Sequence, residues 1–180
     1  ESELRDFKHS GFGVSVDKRD KLKEIQKKLA ELSMNFENNI NNHVDTIFIP
    51  EDLTEGLSDD YKEERYQSDG SYAIDLSYPS FYAFMENAKS DSVRKLLRYK
   101  FLNKGMPDNL MILGEIIVLR KMQADILGYP SYAAYVIEES MAKTPAAVWQ
   151  FENDLKDKIK FKAQWDTAQL LNIKHAINDN

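Results

Sequence analysis

Apolar residues recur at helical spacing along most of this chain. The first stripe lies within residues 17–41, where apolar positions alternate at steps of three and four, and Ser15 or Asp17 is placed to cap its start. Its apolar members are Leu22, Ile25, Leu29, Leu32, Phe36 and Ile40. The pattern therefore predicts a helix over residues 17–41 that buries one face.

Two short segments interrupt the helical pattern. Residues 46–49 are β-branched and aromatic and end at Pro50, and residues 72–77 alternate between apolar and polar side chains. A polar, acidic connection with Gly56 and Gly70 lies between them. We expect the two segments to pair as a small two-stranded antiparallel β ribbon on a helical body.

The remainder of the chain, after Pro79, is predicted to be helical. The predicted helices cover residues 80–87, 91–103 (capped by Ser90), 107–127 (ended by Gly128), 131–140, and Pro145 to about residue 177. Their predicted inward residues are Phe81, Phe84 and Met85, then Val93, Leu96, Leu97 and Phe101, then Leu110, Leu113, Ile117, Ala124 and Leu127. No Gly or Pro follows Pro145, so one long final helix is expected, with a slight break near residues 161–164 as the alternative.

These elements predict a mainly α protein, about 60–70% helical, with one β ribbon. We expect one helical segment over residues 1–180, made of the first long helix, a ribbon with an acidic loop over 46–77, and a helical part over 79–177. The residues expected in the core are Leu29, Leu32, Phe36, Ile74, Leu97, Leu113, Leu127, Val148, Phe151 and Leu155.

Chain length, net charge and cysteine content exclude several classes of function. With 180 residues the chain has room for one domain, or two at most. A net charge of −6, from 24 basic and 30 acidic residues, argues against binding to nucleic acid or an anionic membrane. The absence of cysteine excludes disulfides, thiolate catalysis and Cys-ligated zinc. The chain shows neither a membrane-spanning apolar run nor a secretory signal, and we expect a cytoplasmic location.

The candidate catalytic groups are scattered. His9, His43 and His175 lack the i, i+4 spacing that brings two imidazoles onto one zinc ion, so we expect no metal site in this chain. The adjacent carboxylates are Asp59–Asp60, Glu63–Glu64 and Glu138–Glu139. Neighbours on a helix point about 100° apart, which favours a solvated surface over a shared-proton pair.

Two further motifs are weak. A Ser–His–Asp arrangement lacks the G-x-S-x-G turn that usually presents its nucleophile. Gly11-Phe12-Gly13 lacks the third glycine and the preceding strand of a phosphate-binding loop.

Charge and aromatic residues are unevenly distributed. Residues 89–104 carry six basic side chains against Asp91, and residues 51–64 carry seven acids against Lys62. The basic helix is suited to RNA or a substrate carboxylate, but we favour a solvated face that complements the acidic stretch. Three tyrosines follow one another at three-residue spacing, namely Tyr129, Tyr132 and Tyr135. We interpret them as side chains that pack along a helix and keep their hydroxyls hydrated, rather than as a platform for stacking.

Several longer stretches of the sequence resemble one known protein family. They include Gly11-Phe12-Gly13, the segments 17–29 and 32–40, Pro50-Glu51-Asp52-Leu53, Leu76-Ser77-Tyr78-Pro79, Arg94-Lys95-Leu96, Ile117-Val118-Leu119-Arg120, Leu127-Gly128-Tyr129-Pro130-Ser131-Tyr132 and Met141-Ala142-Lys143-Thr144-Pro145. In this order and at this spacing they resemble the thimet-oligopeptidase-like zinc metallopeptidase family, which includes neurolysin, oligopeptidase A and dipeptidyl carboxypeptidase. The resemblance covers nearly the whole chain.

The resemblance implies a larger, two-lobed helical enzyme that hydrolyses short peptides in a deep channel, with zinc as cofactor. The family's H-E-x-x-H motif does not occur in this sequence. We therefore expect the chain to match the segment upstream of the zinc helix, to form part of the channel wall, and to contain no catalytic, cofactor-binding or metal-binding residue of its own. An H-E-x-x-H on an amphipathic helix within roughly 100–150 residues after Asn180 in the parent gene would decide for the peptidase, and a stop codon near Asn180 would decide for a stand-alone module.

Two other functions remain as alternatives. One is a stand-alone helical binding or scaffold module, and the weaker one is an RNA-binding domain that uses residues 89–104. In the fragment interpretation the apolar stripe Ile159, Ala163, Leu170, Ile173 and Ile177 is left uncovered. We expect self-association through this helix, or else its packing back onto the first helix.

Overall fold

The computed structural model describes residue 7 and residues 9–178. The elements in chain order are α1 (Val16–Asn41), β1 (Thr46–Ile49), a 3-10 helix (Glu51–Leu53), α2 (Asp59–Glu63), β2 (Tyr72–Asp75), α3 (Tyr78–Asn87), α4 (Asp91–Leu102), α5 (Asp108–Leu127), α6 (Tyr132–Ile137) and α7 (Pro145–Asn178). Helices account for 69% of the described residues, and β1 and β2 form a two-stranded antiparallel sheet. The mainly α fold with one ribbon is confirmed.

The chain divides into two compact units. One consists of residues 1–22 with residues 120–180, and the other of residues 23–119. The first, here called the terminal unit, contains α6 and α7. The second, the central unit, contains the ribbon and α2 to α4.

The ribbon supplies one wall of the central unit's core. Ile47 pairs with Ile74 and Ile49 with Tyr72, which places four buried side chains on one face. The second strand is two residues shorter than predicted, because the Asp75 carboxylate accepts a hydrogen bond of 2.7 Å from the Ser77 backbone N–H and turns the chain.

Serine caps fix the starts of three helices in the central unit. Ser77 accepts a hydrogen bond from the Ser80 N–H, so α3 begins at Tyr78 rather than at the predicted residue 80. Ser90 caps α4 as predicted. Ser58 caps α2, a one-turn helix that the polar, acidic composition of this connection concealed.

The core of the central unit lies between the ribbon, α2, α3 and α4. Phe84, Ile74 and Leu97 are fully buried in it, and Tyr61 donates its hydroxyl to the Ser80 carbonyl at 2.9 Å. Burial of each such apolar side chain stabilises the fold by about 1.5–3 kcal/mol. The predicted inward residues of α3 are confirmed, with Met85 only partly buried.

Several core predictions are wrong. Ile74 and Leu97 are buried, and Leu29, Leu32, Phe36, Leu127 and Val148 are partly buried, but Leu113, Phe151 and Leu155 are exposed. On α5 the buried apolar residues are Ile116 and Ala124, while Leu110 and Ile117 are exposed, as is Leu96 on α4. Apolar residues surround the first three turns of α5, so periodicity alone does not select one face.

The ends of the described chain also correct the sequence interpretation. Residues 7 and 9 are helical, and this turn ends at Gly11, where φ is +82° and the Phe12 N–H donates to the Phe7 carbonyl. The predicted irregular segment 1–16 otherwise lies partly outside the described residues. α6 is shorter than the predicted 131–140, and α7 runs unbroken through residues 161–164.

Candidate functional site

The central unit contains a cleft of about 670 Å³. Three segments form it: the end of α1 with the loop to β1, the turn from β2 into α3, and the end of α4. Its lining is mainly apolar and includes Ile40, Val44, Leu76, Tyr78, Phe101 and Leu102. This volume lies in the range of small-molecule and peptide side-chain sites.

One lysine lies at the apolar wall of the cleft. The Lys104 ammonium donates to the Leu76 carbonyl and lies 4.3 Å from the centre of the Phe101 ring and 5.8 Å from that of Tyr78. Burial lowers the pKa of Lys104, and the nearby Asp75 carboxylate partly opposes this shift. The positive charge of Lys104 is therefore stabilised by the Leu76 carbonyl and by the faces of the Phe101 and Tyr78 rings.

Asp45, which also lines the cleft, forms an ion pair with Lys100. The Lys100 ammonium donates to Asp45 Oδ2 at 2.6 Å, and both side chains are about 30% exposed, at 31% and 28%. The hydrogen bond from Lys100 lowers the pKa of Asp45, and burial opposes the shift. A mainly apolar lining with a few charged groups is the usual composition of a ligand-binding cleft.

The terminal unit contains a separate polar cluster. His9 Nε2 lies 2.8 Å from Glu138 Oε2, and the Tyr129 hydroxyl donates to the same oxygen. The His9 ring lies 4.7 Å from the Tyr135 ring and 5.7 Å from the Tyr129 ring, measured between centroids. The cluster thus ties the segment before α1 to α6 and the residues on either side of it.

The environment of this cluster perturbs its tyrosines. Burial, followed by the hydrogen bond to Glu138, raises the pKa of Tyr129 to about 12. Burial also raises the pKa of Tyr135. Both hydroxyls therefore stay protonated at neutral pH, when Tyr129 acts as a hydrogen-bond donor rather than as a base.

The three histidines lie in three different environments. His9 belongs to the polar cluster, His43 lines the cleft and His175 is exposed near the end of α7. Within residue 7 and residues 9–178, no group of three or more His, Cys, Asp or Glu side chains is arranged to hold a metal ion.

The other candidate residues are charge-paired or solvated. Asp59 pairs with Lys62 at 3.2 Å, and Glu64 with Arg65 at 2.8 Å. In the basic stretch, Arg94 pairs with Asp91 on its own helix. Lys100 pairs with Asp45, which lies outside the acidic stretch 51–64. This ion pair therefore does not join the basic stretch 89–104 to the acidic stretch, as was expected from the sequence.

Sequence reasoning missed both the cleft and the polar cluster. Glu138 was expected on a solvated surface and Tyr129 with a hydrated hydroxyl, whereas the two are hydrogen-bonded to each other. His9 and Glu138 are 129 positions apart, and no local pattern connects such residues. Two signals in the sequence drew attention to Tyr129, namely its three-residue spacing with Tyr132 and Tyr135 and the resemblance in segment 127–132.

Comparison with known proteins gives a consistent result. The model of peptidase family M3 matches residues 84–180. Saccharolysin of Saccharomyces cerevisiae is 32% identical over 166 residues, which cover 88% of this chain and 23% of saccharolysin. Oligopeptidase A of Haemophilus influenzae is 25% identical over 94% of the chain and 27% of that protein. The thimet-like oligopeptidase of Dictyostelium discoideum is 27% identical over 97% of the chain and 26% of that protein.

The extent of these matches is as informative as their identity. The chain spans about a quarter of the length of the relatives described above.

Among the helices in the described part of the chain, none is long and apolar enough to cross a membrane.

Proposed function

The chain belongs to peptidase family M3, and from this premise we propose that it is a non-catalytic segment of a zinc-dependent oligopeptidase. One observation carries the proposal: saccharolysin and two relatives named as oligopeptidases match nearly the whole chain, yet the chain covers only 23–27% of their length. The catalytic residues are therefore assigned to other segments of the parent protein.

The residues present do not fit a zinc site. The sequence contains no H-E-x-x-H motif, and the residues that the structure describes offer no group of three metal-binding side chains. A zinc ion bound elsewhere in the parent would act as a Lewis acid toward a peptide carbonyl. This chain contributes no step to that chemistry.

The role proposed for this segment is to form part of the wall around a peptide-binding channel. The cleft beside Lys104 offers apolar surface, two aromatic rings and one ammonium group, which are groups that bind peptide side chains and carboxylates. Short peptides are the proposed substrates of the parent. The absence of nucleic-acid and membrane partners and the cytoplasmic location stay predictions.

A peptide-length series on the full-length parent tests the proposal. We expect cleavage of short quenched peptides, weak cleavage of a folded protein, loss of activity with a chelator and its recovery with zinc. Activity that is unaffected by chelation would overturn the zinc assignment. Efficient cleavage of folded proteins would contradict the proposal that the substrate binds in a narrow channel.

The stand-alone binding module is kept as a second candidate because α7 exposes large apolar side chains, such as Phe161 and Leu170. The two functions differ in the sequence of the parent gene. An H-E-x-x-H downstream of Asn180 supports the peptidase, whereas a coding region without this motif supports the module.

A further inference from the structure

Lys104 lies in the cleft of the central unit with part of its hydrogen-bonding capacity unused. Its ammonium group carries three N–H donors, and it donates to the Leu76 carbonyl. Among the residues that the structure describes, it has no second hydrogen-bond acceptor, and no carboxylate lies within ion-pair distance of it. The cleft therefore contains a cation that can still accept an anionic partner.

Two carboxylates line the same cleft, but each is bound to another donor. Asp45 accepts a hydrogen bond of 2.6 Å from Lys100, and Asp75 accepts one of 2.7 Å from the Ser77 backbone N–H. Asp75 is close enough to Lys104 for their charges to interact. An anion that enters the cleft thus meets one ammonium group and the field of two carboxylates. One negative charge is favoured beside Lys104, whereas a second would be repelled.

Apolar side chains supply the rest of the binding surface. Val44, Tyr78 and Leu102 line the cleft and are exposed by 91%, 66% and 65%. The rings of Tyr78 and Phe101 are in an edge-to-face arrangement, with 5.6 Å between their centroids. An apolar group that enters the cleft removes this surface from water, and an aromatic ring also gains from contact with the two rings.

We propose that the cleft binds a small amphipathic monocarboxylate, with its carboxylate on Lys104 and an aromatic or branched aliphatic group against Tyr78 and Phe101. Two sources share this chemistry, namely a free carboxylic acid and the C-terminal residue of a peptide. The inference deepens the proposed function and rests on it only for the peptide, because a free acid requires no peptidase. All residues of the site belong to the central unit.

Two matched probes separate the charge from the ring. N-Acetyl-L-phenylalanine supplies both groups, and N-acetyl-L-phenylalaninamide lacks only the negative charge. Each is titrated into the full-length parent by calorimetry, with a chelator present so that a zinc ion cannot bind the carboxylate, and circular dichroism verifies the fold. We expect millimolar or tighter binding of the acid and at least about 10-fold weaker binding of the amide. N-Acetyl-L-alanine, which lacks the ring, should also bind more weakly than the acid.

Lys104→Met tests the assigned cation, because it removes the ammonium group and keeps an unbranched apolar side chain. We expect the affinity for the acid to fall at least about 10-fold, to the level of the amide. Lys95→Met removes the same charge from an exposed position of α4 outside the cleft and should change the affinity less than about 2-fold.

Val44→Asp provides a second test that leaves the core untouched, since Val44 lies in the loop between α1 and β1 and is exposed. The added carboxylate should weaken binding of the acid at low salt without affecting the amide, and Val44→Asn should leave both affinities unchanged. Equal binding of the acid to the Val44→Asp and Val44→Asn variants would place the ligand outside the cleft and overturn the inference.

Two further probes distinguish the sources. 3-Phenylpropanoate is an acid without a peptide group, and N-acetyl-Ala-Ala-Phe adds a peptide backbone to the same C-terminal residue. Equal affinities would assign the site to a free acid, and at least about 10-fold tighter binding of the peptide would assign it to a peptide C-terminus. Either result supports the monocarboxylate site provided that Lys104→Met abolishes it.

Several results would overturn the inference. They are equal affinities for the acid and the amide, an unchanged affinity in Lys104→Met, an equal loss in Lys104→Met and Lys95→Met, and no binding to the parent at millimolar probe. Lower stability of Lys104→Met with an unchanged affinity would reduce Lys104 to a structural contact with the Leu76 carbonyl. Peptidase activity is measured separately with zinc present. An inactive parent that binds the acid through Lys104 contradicts the proposed function but supports this site.

Discussion

His9 and Glu138, which are 129 positions apart, approach to 2.8 Å between Nε2 and Oε2. The Tyr129 hydroxyl donates to the same carboxylate oxygen, so one acceptor holds a residue before α1 and a residue before α6 together. A carboxylate that accepts two such hydrogen bonds is costly to leave unpaired. The cluster is therefore expected to stabilise the terminal unit.

Tyr129→Phe removes the hydroxyl whose pKa burial and Glu138 raise to about 12. Tyrosine in the unfolded chain titrates near pH 10, so between about pH 10 and pH 12 the unfolded state loses its proton before the folded state does. The free energy of unfolding of the wild type should fall across this window more steeply than that of the variant. Urea unfolding at pH 8 and pH 11 measures the difference, and an equal difference at both values would contradict the account.

Lys100→Met removes the partner that lowers the pKa of Asp45. A lowered carboxyl pKa contributes stability above the unfolded value of about 3.8, and this contribution is lost as the pH falls through the folded value. We expect a loss of about 1 kcal/mol or less at pH 7 and a progressively smaller loss as the pH is lowered below about 3.8. Lys95→Met, on the exposed side of the same helix, serves as control; equal losses for both variants at pH 7 would exclude a specific pair.

Gly56→Ala and Gly70→Ala separate backbone strain from steric overlap. Both glycines have positive φ, +90° and +84°, but a Cβ at Gly56 would lie 2.2 Å from the Asn87 carbonyl oxygen, whereas at Gly70 it meets nothing within 4 Å. Gly70→Ala should cost about 1–2 kcal/mol of unfolding free energy from strain alone. Gly56→Ala should cost clearly more, because the backbone must also move. Similar costs in denaturant unfolding would show that the close approach to Asn87 is absent in solution.

Leu97→Ala and Leu96→Ala compare adjacent residues of α4. Leu97 is fully buried and Leu96 is 46% exposed. Truncation of Leu97 should cost about 2–5 kcal/mol because it leaves a cavity in the core of the central unit. Truncation of Leu96 should cost under about 1 kcal/mol. A reversed order in chemical denaturation would mean that α4 presents a different face to the core of the central unit.

Local signals account for most of the correct fold predictions. Periodicity and the Ser90 cap located α1 and α4 to within a residue, because these signals act within a few positions of where they are read. The missed elements were equally local but weak: α2 has five residues in an acidic stretch, and an Asx turn at Asp75 shortens β2.

Burial on the long helices could not be predicted in the same way. Phe151 and Leu155 have the spacing of core residues and were assigned to the core, yet both are exposed. Periodicity identifies an apolar face but not the element that covers it, and the described part of this chain supplies no cover for theirs. The polar cluster and the cleft depend on residues far apart in sequence, which no single pattern connects.

Metal content and peptide cleavage, measured side by side on the isolated 180-residue chain and on its full-length parent, test the central claim most directly. The account predicts one zinc per parent molecule with chelator-sensitive cleavage of a quenched peptide, and neither bound zinc nor cleavage for the isolated chain. Stoichiometric zinc or cleavage by the isolated chain, or a parent that cleaves the peptide without a metal, would contradict the claim that this family M3 segment is non-catalytic within a zinc peptidase.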